Sequence, residues 1–133
     1  MAGWATGSFE NDNAQAWLPQ LMSLSIGDLQ PLLSRAADSA DYLEAPEASV
    51  AIAAAEAIAA LKGKPSPATP KEIADWAHKA KSENGTTPDL TGLAIRAVQR
   101  VRTNSELKDL WLEADGLNEW SASLRDLERR LAG

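Results

Sequence analysis

The chain contains no cysteine. That absence excludes disulfides, thiolate metal sites and thiol nucleophiles together. A single histidine, His78, rules out a histidine-rich metal site or a two-histidine mechanism. It lies off the apolar stripe of its helix, beside Lys79 and Lys81, and reads as a surface residue. No apolar run is long enough to span a bilayer. The longest, Val50 to Leu61, is short and broken by Glu56. No Lys or Arg precedes Arg35 and no uninterrupted apolar stretch lies near the start, so a secretory signal is not expected. A cytoplasmic location is the default. Aromatics make up 5 % of the residues, β-branched residues are few, and no stretch alternates strictly enough for a strand.

What the chain does have is alanine, acid and helical periodicity. Its 133 residues suffice for one domain over positions 1–133 with its own core. The net charge is −6 and is unevenly placed. Eight acids up to Glu56 face only Arg35, whereas residues 96–133 carry seven acids against seven bases. An acidic front half repels phosphate backbones, so nucleic acid is not an expected partner. It suits a basic protein surface, or it simply keeps a small domain soluble.

Seven apolar stripes recur at helical spacing. They begin with Ala14, Trp17, Leu18, Leu21 and Met22, then Leu29, Leu32, Leu33, Ala36, Ala37 and Ala40. The third runs over Pro46 to Lys62 and is apolar on nearly every side, which places it among other helices at the centre of a bundle. Boundaries carry chemical signals. "TPKE" at 69–72 combines a threonine cap, proline at the first helical position and a glutamate three residues after the cap. Asn104 or Ser105 can cap the sixth helix, Gly63 can end the third in the left-handed conformation, and Asp115-Gly116 separates the last two. Pro31 fits if the second helix starts near it, and Pro19 shortens or kinks the first. The expectation is an all-α bundle of about six or seven helices, with an irregular N-terminal segment packed on it. Trp17, Trp76, Trp111 and Trp120 fall on apolar stripes and read as core.

Four groups of residues invite a functional reading. The opening "GWATGSFENDNAQAWL" at 3–18 places Trp4, Gly7, Phe9, Glu10, Asn11 and Asp12 in a crowded stretch. Asp12 or Asn11 can cap the first helix while Gln15 reaches back, and Phe9 can staple the incoming segment to the face of Trp17. The functional alternative is an oxygen-rich site for a cation or a basic partner, built from Glu10, Asp12 and Asn13. Glu44 and Glu47, and again Glu106 and Asp109, are carboxylates three apart. Such pairs resemble the Mg²⁺ ligands of helical nucleotide pyrophosphohydrolases, and that resemblance implies a Mg-dependent phosphate hydrolase. They are equally common on solvated helix faces. Without that hydrolase no cofactor is expected. Arg96 and Arg100 lie four apart and can hold an anion or a partner's carboxylates, or pair with the acidic front half. Finally, the stripe Leu117, Trp120, Leu124, Leu127 and Leu131 can serve a homodimer as well as the core.

The opening motif resembles the signature of domain-of-unknown-function family 4259, small bacterial proteins with a Phe-Glu-Asn-Asp type start. The similarity runs on through "YLEAPEASVAIAAAEAIAAL" at 42–61 and "SELKDLWLEADGLNEWSASLRDLERRL" at 105–131. Ala5 stands where glycine is usual, and Asn13 where a second aspartate is common. The resemblance implies no activity, cofactor or partner. The residues themselves favour a non-enzymatic interaction module for a basic protein, inhibitor-like or immunity-like. The metal-dependent hydrolase and a self-associating structural protein are the alternatives.

Overall fold

A computed structural model describes residues 12–67, 69–82 and 89–133, and those residues form seven helices and no strand. The helices are α1 (Asp12–Leu21), α2 (Leu29–Asp38), α3 (Ala45–Leu61), α4 (Lys71–Ser82), α5 (Thr91–Thr103), α6 (Glu106–Glu113) and α7 (Leu117–Ala132). No described helix is long and apolar enough to cross a membrane.

α3 is the axis. It touches each of the six other helices. Its alanines explain why: Ala53, Ala54, Ala55, Ala57 and Ala59 are fully buried, and side chains that small let neighbouring backbones come close. Around it, α2 packs on α5, α5 on α7, α1 on α4, and α6 sits against α5 and α7. Leu18, Leu21, Leu29, Leu33, Ile73, Trp76, Val98, Val101, Leu124, Leu127 and Leu131 fill one continuous core. The stripe proposed for a homodimer is therefore largely consumed inside the chain, since Trp120, Leu124, Leu127 and Leu131 are all buried.

Most ends obey the expected chemistry. Gly63 takes φ +81, and the Gly63 and Lys64 amides donate to Ala60 and Ala59, both at 2.9 Å, which closes α3 in a Schellman arrangement. Pro31 falls in the first turn of α2, and α1 ends two residues after Pro19. Asp115 adopts φ 60 between α6 and α7, and Gly116 leaves room for the Trp111 ring, which a Cβ there would meet at 2.6 Å.

Some boundaries depart from expectation. Met22 lies past the end of α1 and is exposed, and Ala40 lies past the end of α2, so neither extends its stripe. The Thr69 hydroxyl is buried and makes no hydrogen bond among the described residues. The reciprocal cap expected at α4 is thus not formed, and the first turn is closed instead by the Pro70 carbonyl, which accepts from Ile73 at 3.1 Å. "TPD" at 87–89 repeats the threonine-proline start as an expectation for the fifth helix, but Thr87 and Pro88 lie outside the described residues. Leu90 stands at the cap of α5 without a side-chain cap bond, and Asp89 just before it takes up the Thr91 amide on Oδ1 at 3.0 Å, which holds the carboxyl below the usual range.

Ser105 is the clearest cap. Its Oγ accepts from the Lys108 amide at 3.1 Å and donates to the Val101 carbonyl at 2.7 Å, and it is buried. One hydroxyl therefore starts α6 and ties it to α5. Ser105→Ala removes both bonds and is expected to lower stability by about 1–2 kcal/mol in a urea titration. A loss below the precision of that titration would show that the cap is dispensable.

Candidate functional site

α6 is only eight residues long. Its inward positions are Leu107 and Trp111, both buried. Helical geometry then turns Asp109, Leu112 and Glu113 outward, with Glu106 and Leu110 on the flank. The segment joining α2 to α3 lies along that flank. Glu106 donates its amide to the Leu43 carbonyl at 2.8 Å and accepts the Ala45 amide on Oε1 at 2.7 Å. A carboxylate on α6 thus satisfies a first-turn donor of α3, where negative charge also suits the helix dipole.

Those contacts deliver Tyr42 to the outer face. Its hydroxyl donates to Asp109 Oδ2 at 2.6 Å. That hydrogen bond, with the charges of Asp109, Glu106 and Glu113 around it, pushes the phenol up to about 12. The neutral phenol is favoured because a phenolate there would face three carboxylates.

This chain has one tyrosine, so its titration is read directly from the ultraviolet spectrum. Asp109→Asn is expected to bring the midpoint down from about 12 toward the ordinary value. The folded state holds the proton more tightly than the unfolded chain. Tyr42 therefore contributes stability fully below about 10, and loses it as pH rises through its folded value. A midpoint unmoved by Asp109→Asn would contradict the assigned bond.

The arginines expected to hold an anion are engaged with the end of α2 and this same joining segment. Arg96 pairs with Asp38 at 2.6 Å. Arg100 donates to the carbonyls of Ser39 at 2.5 Å, Asp41 at 2.8 Å and Asn104 at 3.0 Å. α5 therefore clamps residues 38–41, and that clamp sets where Tyr42 emerges.

The carboxylate pairs part company. Glu106 and Asp109 take up Ala45 and Tyr42. Glu47 faces Arg35 at 3.6 Å across α2 and α3. Glu44 occupies the cap position of α3 without a side-chain cap bond. Among the described residues, no three Asp, Glu or His side chains are grouped so as to hold a metal ion. Trp4, Gly7, Phe9, Glu10 and Asn11 lie outside the described residues, as do the side chains of Asp12 and Asn13, although α1 does begin at Asp12.

A family model for a domain of unknown function (DUF4259) matches residues 3–123. The chain belongs to the DUF4259 family. No curated protein and no solved structure matches it. The DUF4259 match takes in the opening motif, the Tyr42 segment and all of α6, so the acidic face lies within the family domain. It stops inside α7, short of Leu124, Leu127 and Leu131, which nevertheless complete the core.

Two features escaped the reading of the sequence. Tyr42 belongs to no apolar stripe and to no paired-acid motif; its only signal was an aromatic residue set between Asp41 and Glu44 just before a helix. The other is the partner of Glu56. Arg130 on α7 grips this carboxylate with Nη1 on Oε1 at 2.8 Å and Nη2 on Oε2 at 3.2 Å. The signal there was a charge inside an otherwise apolar helix, which demands a cation somewhere.

Proposed function

We propose that this protein is a protein-interaction module that binds a basic protein through the outer face of α6 and Tyr42. One observation carries the reading. Leu112 is 56 % and Leu110 37 % exposed on a short helix whose remaining outward positions include Asp109 and Glu113, and Tyr42, 56 % exposed, is hydrogen-bonded to Asp109 from the neighbouring segment. Tyrosine anchors are enriched at the centres of protein interfaces. The surrounding carboxylates favour a cationic partner and disfavour nucleic acid. An inhibitor-like or immunity-like role in the cytoplasm is one form this module can take. No catalytic group is needed for it.

The test is affinity capture from native lysate, at low and at physiological salt, with the wild type beside Leu112→Asp/Glu113→Lys. Both positions are exposed, so the variant keeps the fold, as circular dichroism will show. Expected is a basic protein retained by the wild type and weakened by about thirtyfold or more in the variant. Retention of the same proteins by both forms would refute the assignment of this face.

A further inference from the structure

A second surface feature adjoins the α6 face. Between α2 and α3 runs a groove of about 240 Å³, lined by Leu32, Arg35, Pro46, Glu47 and Val50. Its walls are mainly alkyl. Leu32 and Val50 are only half-buried, so the core does not use them up. The ion pair at its edge, Arg35 with Glu47 at 3.6 Å, is well exposed on the arginine side. Exposed pairs of this kind are weak and open at little cost.

The position of the groove matters more than its size. Pro46 and Glu47 directly follow Ala45, the residue whose amide Glu106 of α6 holds at 2.7 Å. The first turn of α3 therefore carries two residues of the groove and, at Ala45, the hydrogen bond to the flank of α6. Acids mark both features: Glu47 in the groove with Glu44 at the cap of α3, and Asp109 and Glu113 on α6. Against them stand Arg35, paired with Glu47, Arg100, which holds the Ser39 and Asp41 carbonyls, and Lys108 on α6, so acids still outnumber bases here.

We infer that the groove and the α6 face form one bipartite docking strip for a basic amphipathic segment of the partner protein. An apolar side chain of that segment enters between Leu32 and Val50. Its Arg or Lys side chains lie against Tyr42, Asp109 and Glu113. The exposed tyrosine ring can carry a guanidinium on its face while the carboxylates neutralise it. The inference rests on the docking role proposed above, and adds to it a hydrophobic anchor site and the character of the segment that fills it.

Methyl-labelled protein titrated with three end-blocked hexapeptides separates the two ideas. The peptide RLRRLR is expected to shift the methyl signals of Leu32 and Val50 together with those of Leu110 and Leu112, saturably. The leucine-free RSRRSR is expected to shift only the α6 signals and to bind about tenfold more weakly or worse. The acidic ELEELE is expected to shift neither set. Val50→Glu should abolish the advantage of RLRRLR over RSRRSR, and Leu32→Gln serves if that variant fails to fold.

Shifts confined to Leu110 and Leu112, with no advantage for leucine, would overturn the groove and leave the α6 face standing. Shifts confined to the groove and equal for ELEELE would overturn the basic segment and the α6 face together. No shift with any peptide would overturn both. Concentration-dependent shifts of the groove signals without peptide would assign the strip to a second copy of this chain, against the inference.

Discussion

Arg130→Ala is expected to cost the fold about 3–5 kcal/mol in urea-induced unfolding followed by tryptophan fluorescence. Glu56 is 2 % exposed in the middle of α3. Its two oxygens are gripped by the two terminal nitrogens of Arg130. The same guanidinium donates through Nε to Asp126 at 2.8 Å and through Nη1 to the Lys64 carbonyl at 3.2 Å. Lys62 also donates to the Leu131 carbonyl, so the end of α7 is fastened to the end of α3. Removing the arginine leaves a carboxylate with little water and without its guanidinium. That penalty, rather than the attraction itself, is the measured loss. Two controls follow. Glu56→Met with Arg130→Met is expected to recover most of the stability, because a buried pair and an apolar replacement of similar volume are often close in free energy. Asp126 should titrate nearer its ordinary value in Arg130→Ala, since its bond to Arg130 is the main cause that lowers it. A loss below about 1 kcal/mol in Arg130→Ala would show that Glu56 is solvated after all.

That pair also shows where sequence reasoning reaches and where it stops. Periodicity located α3 and its central position because a helix with no polar face has only one stable environment. It marked Glu56 as an exception. It could not name Arg130, because periodicity assigns a residue to a face and says nothing about which residue stands across from it. The same limit governs the carboxylates. Spacing singled out Glu106 and Asp109, yet their partners are Ala45 and Tyr42, more than sixty residues away in the chain. Local chemistry did better at Ser105, Gly63 and Asp115-Gly116, where turn and cap geometry depend on neighbours in sequence. It failed at Thr69, because α4 begins only at Lys71 and leaves the buried Thr69 hydroxyl one residue short of the cap position, without a hydrogen bond among the described residues. Tyr42 was invisible for another reason: its importance comes from being left outside the core, and a stripe search looks for residues that go in.

The second large effect tests how far the acidic face depends on the rest of the molecule. Trp76→Ala is expected to cost about 3–5 kcal/mol, the range for deleting a large buried aromatic side chain. Trp76 is 1 % exposed, and its indole N–H donates to the Leu24 carbonyl at 2.9 Å, in the segment between α1 and α2. Trp76→Phe removes that bond but keeps most of the apolar volume, so its smaller loss, about 1–2 kcal/mol, isolates the hydrogen bond and the trimmed ring. If the two variants lost equal stability, the cavity would not be the dominant cause. Among the described helices, α4 packs only on α1 and α3. The frame that positions Tyr42 is different: α5 clamps residues 38–41, and α6 rests on α3, α5 and α7. Local opening driven by Trp76→Ala should therefore appear first as faster amide exchange in α4. The Tyr42 titration should keep its raised midpoint as long as the chain remains folded. A midpoint that fell in step with α4 exchange would show that the docking face and the far side of the bundle yield as one unit, and a partner held on α6 would then stabilise α4 as well.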